Sequence, residues 1–303
     1  MSPRDLLLAL GVVIVWGLNF VAIKWGVEEV PPFMLTALRY LGCALPAVFF
    51  IRRPAVSWRM LMLYGFTVGV LQFSFLFTAM RLGMPAGLAS PVMQMQVFFT
   101  MGLAVLFSGE RPGLFQLGGA LVALAGLATI GAEHLGGAVL VPLVMTLVAA
   151  LFWAMSNIVT KRAGKVDMLG FVVWGSPVPP IPMLLLSLIF EGPGAYASLS
   201  AMTPRGIGSV LFIAYGSTLF GYGLWAVLLG RYPASVVAPF SLLVPVVGFA
   251  AAMIILGEAV SLPEILGSLL IFVGLVLNVL GLRWRGCGRP GAPDVKAAPE
   301  GGR

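Results

Sequence analysis

GMPAGLASP, residues 83–91, is written a second time 148 residues later as RYPASVVAP, residues 231–239. Pro85 falls on Pro233, Ala86 on Ala234 and Pro91 on Pro239. Carried on without a gap, the same frame sets Gly109-Glu110 on Gly257-Glu258, Gly119 on Gly267 and Gly126 on Gly274. An offset of 137 sets Trp16 on Trp153 and Lys24 on Lys161, and one of 151 sets Tyr64-Gly65 on Tyr215-Gly216. Chance pairs of Gly and Ala are common in such a composition. Two prolines and a Gly-Glu pair in one frame are not, so the chain reads as a duplication.

The duplicated unit is apolar. Hydrophobic residues make up 60% of the 303, charged residues 10%, and the mean hydropathy is +1.04. No soluble core can hide that much apolar side chain, so the bilayer is the solvent. A transmembrane helix needs about 20 mostly apolar residues. Ten stretches qualify: 5–26, 32–51, 58–80, 86–108, 114–131, 138–160, 168–190, 206–229, 234–256 and 262–284. Their length and lack of two-residue alternation predict helices rather than a β-barrel. The run that starts after Arg4 is too long for a signal peptide and has no small-residue cleavage site after it.

The fold predicted is therefore all-α and polytopic. Residues 1–131 form one five-helix repeat, 132–285 a second, and 286–303 a disordered tail rich in Gly, Pro and Ala. Five is odd, so the second copy enters the membrane from the opposite side. Inverted repeats of this kind place a substrate near the midplane between the copies. Fourteen Lys and Arg lie on the termini and even-numbered loops against three on the odd-numbered loops. That bias predicts both termini in the cytoplasm, and it explains the +7 net charge without a nucleic-acid partner.

The chemistry is read from polar groups inside the spans. Arg39 is the costliest to bury, because a charge at that depth needs a partner or water. Two readings stand open: a bidentate contact with a substrate carboxylate, or a structural tie to carbonyls, Glu28 or Glu29. Lys24 is either an outer gate or a side chain that reaches the interface and pairs with Glu28. Glu110, Glu258 and Glu264 fall at span ends, and no Asp or Glu falls in the middle of a span. Coupling through a mid-membrane carboxylate is thus a poor fit. His134, the sole histidine, reads as a solvated loop residue. Cys43 and Cys287 form no obvious pair, no metal-ligand spacing occurs, and no nucleotide-binding loop or other cofactor motif is present. No nucleophile–base constellation points to an enzyme.

Asn19, Gln72, Gln94, Gln96, Ser156, Asn157, Tyr222 and Ser241 are uncharged polar groups within spans; each either bonds another helix or faces water. Trp16, Phe77, Phe98, Trp153, Tyr222 and Trp225 are aromatic candidates for a cavity wall. Pro91 and Pro239 mark helix breaks. Gln94 and Gln96 point about 200° apart on a helix; Gln94, nearer the Pro91 face, is assigned to substrate and Gln96 to a neighbouring helix.

WGLNFVAIK (16–24), Arg39 in TALRY, PAGLAS…FFT…GE (85–110) and LLVPVVG…LGE (242–258) resemble the drug/metabolite transporter superfamily, in its branch with two EamA domains. The resemblance spans 5–285. Within the branch, Gln94-x-Gln96 with FFT and GYGLW…LLGRY…APFSLLVPVVG are most similar to bacterial exporters of cysteine and O-acetylserine. It implies an inner-membrane exporter with a small-molecule substrate and the bilayer as partners. It also implies a cavity among spans 1, 3, 4, 6, 8 and 9, with spans 5 and 10 at the periphery. SPVPPIP (176–182) departs from the pattern and puts the shape of the seventh span in doubt. Export of aromatic or drug-like compounds and a non-transporting scaffold are the alternatives; the oligomeric state stays open.

Overall fold

The computed structural model describes residues 1–109, 112–134, 137–164, 166–232 and 234–287, with side chains omitted at 108, 234–235, 238–239 and beyond 280. Glu110, Pro233 and the tail from residue 288, named above, lie outside the described residues. Every regular element among the described residues is helical. The spans are α1 (Pro3–Glu29), α2 (Pro32–Phe50), α3 (Trp58–Arg81), α4 (Ala86–Phe107), α5 (Leu114–Glu133), α6 (Leu140–Ala163), α7 (Met168–Gly175 with Pro180–Glu191), α8 (Pro204–Arg231), α9 (Phe240–Ile255) and α10 (Leu262–Cys287).

Eight of these are long and apolar enough to cross a bilayer, and α7 makes a ninth if its two parts count as one. Of the ten expected spans, the seventh and the ninth do not form single α-helices of spanning length. Pro177, Pro179, Pro180 and Pro182 remove four helix donors, and α7 bends by 40° there. The expected span 234–256 is a short α-helix (Ala234–Val237), a 3-10 segment (Ala238–Leu243) and the α-helix Val244–Ile255. Pro239 and Pro245 supply no N–H to that stretch. The helix of α10 runs to Cys287, past the expected end at 284. The connection between α7 and α8 carries a short helix, Gly194–Ser200.

Local chemistry sets the helix starts. Ser2, Ser57, Asp167 and Thr203 accept first-turn N–H groups of α1, α3, α7 and α8. Ser261 and Glu264 close a reciprocal cap on α10, Glu264 N–H to Ser261 Oγ and Ser261 N–H to Glu264. Within α3 and α8, the stretches Gly65–Gln72 and Phe212–Phe220 are π-helical. They overlap in the 151-residue frame, so both copies widen at the same level.

Glycine decides how the copies meet. A methyl group on Gly119 or Gly126 would strike the carbonyl of Gly274 or Gly267, and the reverse holds for each partner. The repeat frame equates Gly119 with Gly267 and Gly126 with Gly274. The contacts cross that frame, first glycine to second, as self-complementary pairing about a twofold axis requires. The same crossing makes α5 and α10 antiparallel. A second close approach joins α1 to α9, where Gly17 meets Val247 and Gly248. Phe77, Phe171, Met80, Met84 and Leu88 fill the interior, while Phe50 (85% exposed) and Ile254 (82%) face outward as lipid-facing groups do.

Carboxylates of one copy cap helices of the other at the odd-loop face. Glu258 accepts from Ala86 and Gly87 N–H (2.7 and 2.9 Å). Glu191 accepts from Phe33 and Met34 (2.7 and 3.2 Å), and Glu29 from Thr203 N–H (2.9 Å). At the opposite face Arg231 and Tyr232 donate to Asp5 (2.6 and 2.7 Å). These are charge-assisted bonds to helix N-termini or to fixed donors.

The glycine contact makes a contrast that denaturation in mild detergent can read. Gly267→Leu is expected to cost about 3 kcal/mol by overpacking. Gly118→Leu, at a position with nothing within 4 Å, is expected to change stability by less than about 0.5 kcal/mol.

Candidate functional site

Arg39 sits on α2 seven residues from its odd-loop end, and its side chain is carried deeper. Its Nη2 donates to Thr218 Oγ1 at 3.1 Å, and Thr218 lies at the midpoint of the 28-residue α8. The π-helical stretch fixes that hydroxyl, which itself donates to the Ile213 carbonyl five residues back (2.9 Å). The guanidinium carbon lies 3.9 Å from the centre of the Phe73 ring and 5.7 Å from that of Tyr40. Phe73 meets Tyr40 and Phe77 edge-on at 6.0 and 5.3 Å.

Arg39 is 4% exposed, yet Nε and Nη1 have no hydrogen-bond partner. The structural reading of Arg39 as paired with Glu28 or Glu29 is therefore corrected. Arg205 takes both carboxylates, at 3.2 and 3.5 Å. The pairing of Lys24 with Glu28 is corrected on the same ground. Arg205 holds Glu28, and Lys24 Nζ donates instead to the Met80 carbonyl at 3.4 Å, joining α1 to α3.

Among the described residues five more buried polar atoms lack partners: Asn19 Oδ1, Gln72 Oε1, Ser90 Oγ, Ser187 Oγ and Ser268 Oγ. Asn19, Arg39, Gln72 and Gln94 lie seven to ten residues from the odd-loop ends of α1, α2, α3 and α4. At 1.5 Å per residue that is one layer, roughly 10–15 Å deep. Trp16 closes the layer from below. Its Nε1 donates to the Ser217 carbonyl at 3.0 Å, and its ring packs on Tyr222 and Trp225 at 5.4 and 5.2 Å.

Pro91 breaks α4, and the break itself falls three residues on. Gln94 and Met95 N–H donate to Pro91 and Val92 carbonyls (3.1 and 3.0 Å), a tightened turn at which Gln94 is buried. Pro239 lies in the 3-10 segment of the second copy, as does half-buried Ser241. Gln96 turns the other way. Its Oε1 accepts from Asn157 Nδ2 at 2.6 Å, and Asn157 also donates to Thr100 (3.1 Å), a bridge from α4 to α6. Ser156 donates to the Trp153 carbonyl of its own helix at 2.7 Å. Trp153 is half-buried against the core, and Phe98 is buried. So Ser156, Asn157 and Trp153 are accounted for by contacts within and between helices. Thr218, Phe73 and Tyr40 contact the guanidinium of Arg39, and Trp16 bonds the neighbouring Ser217 carbonyl and packs on Tyr222.

Sequence reasoning passed over Thr218, Tyr40 and Phe73. Nothing in the pattern marked Thr218. His134 was placed wrongly as solvated. Its Nε2 lies 3.1 Å from Glu264 Oε1 with the side chain only 16% exposed, because the close α5–α10 packing brings the end of one to the start of the other. Glu133, bonded by Ser261 Oγ at 2.6 Å, completes that cluster.

The model of the EamA-like transporter family matches residues 4–132 and again 140–280. The chain belongs to the EamA-like transporter family. It is 44% identical to a protein of Escherichia coli (strain K12) named "Probable amino-acid metabolite efflux pump", over 94% of this chain and 98% of that one. A protein of the same name in Salmonella typhimurium is also 44% identical, with the same coverage. A solved structure titled "Crystal structure of protein" aligns with TM-score 0.64 over 96% of this chain and all of its own, at 19% identity, a likeness of fold. This EamA-family chain is a multi-pass membrane protein with two copies of the family's unit.

The two glutamines give a paired test. Gln96→Leu removes the shorter of the two bonds the Asn157 amide donates, leaving the one to Thr100, and is expected to cost about 1 kcal/mol on unfolding in detergent. Gln94→Leu removes no bond within the chain and is expected to leave the unfolding midpoint in place while lowering flux.

Proposed function

We propose that the protein exports small amino acids or related metabolites, of the cysteine and O-acetylserine type, by alternating access between two inverted five-helix units, 1–131 and 132–285. The observation that carries this reading is Arg39: a buried, mid-span guanidinium with two donating nitrogens unused. A substrate carboxylate that bridges Nη2 and one of these nitrogens would satisfy that nitrogen and neutralise the charge. The names of the two relatives support an amino-acid-derived cargo. Phe73 and Tyr40 hold the guanidinium plane, Thr218 fixes its tilt, and Trp16 with Tyr222 offers an apolar surface to the rest of the molecule. Gln94, at the break in α4, faces the same layer, and Lys24 lies on the exit side. The charge bias supports an orientation with both termini in the cytoplasm, and the inner membrane is where such an exporter would act.

Flux from proteoliposomes tests the reading directly. Purified protein is expected to move cysteine and O-acetylserine faster than protein-free vesicles do. Arg39→Gln is expected to lower that flux roughly ten- to a hundredfold, the loss of a hydrogen bond to a charged group. Running the panel with and without a proton gradient separates coupled export from exchange. Competition by bulky aromatic compounds but not by cysteine would replace the amino-acid reading with a drug-like one.

A further inference from the structure

Arg39 accounts for one end of a substrate, and two buried acceptors are left over. Asn19 Oδ1 and Gln72 Oε1 are out of reach of water and have no donor. Such atoms are costly unless something arrives to satisfy them. The stretch of α1 that carries Asn19 packs on α2 and α8, the two spans that hold Arg39 and Thr218. Asn19 lies one heptad inward of Gly26 on α1, and Gly26 packs on Leu35 of α2 and Ser209 of α8. Leu35 is one turn outward of Arg39 on the same face of α2. Three residues inward, Trp16 bonds the carbonyl of Ser217, the neighbour of Arg39's partner Thr218. Gln72 directly precedes Phe73, whose ring lies under the guanidinium.

We infer that Asn19 Oδ1 and Gln72 Oε1 receive the α-ammonium of the substrate whose carboxylate Arg39 binds, so that the site is built for a zwitterion; this rests on the export reading above. Arg39 offers only donors, and the two amide oxygens are acceptors, which is the complement of a carboxylate beside an ammonium. The described carboxylates of the spans lie near the helix ends and cap or pair there, as Asp5, Glu29, Glu191, Glu258 and Glu264 do. None of them reaches this layer. The ammonium charge is balanced by the substrate's own carboxylate, and the amides supply direction rather than charge. Neutral acceptors have a further consequence. A carboxylate in place of either amide would pair with Arg39 and occupy the substrate's position, so a charged acceptor is incompatible with the anchor.

The test compares cysteine with 3-mercaptopropionate, which keeps the carboxylate and thiol and lacks only the amino group. Both are measured as efflux from reduced proteoliposomes of the wild-type protein, less the protein-free rate. Cysteine is expected to move about tenfold faster or more. Asn19→Leu and Gln72→Met are expected to slow cysteine alone and bring the ratio toward one. Arg39→Gln is expected to slow both. Equal wild-type fluxes, or a ratio unchanged in the Asn19→Leu/Gln72→Met double variant, would overturn the ammonium assignment and leave the exporter standing. Failure of the wild type to move cysteine at all would overturn the export reading and the assignment with it. The wild-type comparison needs no substituted protein, so it decides the question even where a variant does not fold.

Discussion

A guanidinium held at mid-span without a carboxylate is the constraint on which the rest of the site depends. Placing a charge there costs several kcal/mol unless it is paired or hydrated. The ring of Phe73 and the hydroxyl of Thr218 offset part of that, by cation–π attraction and one hydrogen bond. Two nitrogens remain unmet. Everything around them keeps the group in place rather than neutralising it. The π-helical turn of α8 presents Thr218, Trp16 ties α1 to the preceding residue, Ser217, and Gly69 lets Pro179 and Tyr40 approach α3. A transporter that releases its cargo must not satisfy its own anchor. An internal carboxylate would do that permanently.

The acids are used elsewhere. Glu29, Glu191 and Glu258 each cross from one copy to cap a helix start in the other, where partial positive charge and free N–H groups favour them. Glu258 grips the first turn of α4, the helix that carries the Pro91 break and Gln94. The rim of the site and its interior are thus connected through a short rigid segment. The two copies are joined at their far side by the glycine contact of α5 and α10, which needs backbone approach and tolerates no side chain. Regular backbone bonding within the spans is interrupted in α4, α7 and α9.

The architecture was legible in the sequence because its causes are local or repetitive. Apolar run length gives spans, Pro85, Pro91 and the Gly-Glu pair give the duplication, and one arginine in an apolar run marks the proposed site. The four prolines of SPVPPIP foretold trouble in α7, and the bend lies there. The errors have a common physical origin. Lys24 and Glu28 are neighbours on one helix turn, but Arg205, far away in sequence, takes Glu28. His134 looks like a loop residue until α10 is packed against α5. Thr218 is an ordinary polar residue until a π-helical turn aims it at Arg39. Each depends on which helix lies beside which, and periodicity along one chain does not carry that.

The central claim is that the carboxylate of the cargo binds the unpaired guanidinium. Equilibrium binding to the purified protein in detergent, by titration calorimetry, tests it with cysteine and cysteamine, which differ only by the carboxylate. Cysteine is expected to bind at least about tenfold more tightly, and the difference is expected to vanish in Arg39→Gln. Equal binding of the two by the wild-type protein, or a preference for cysteine that survives Arg39→Gln, would contradict the claim.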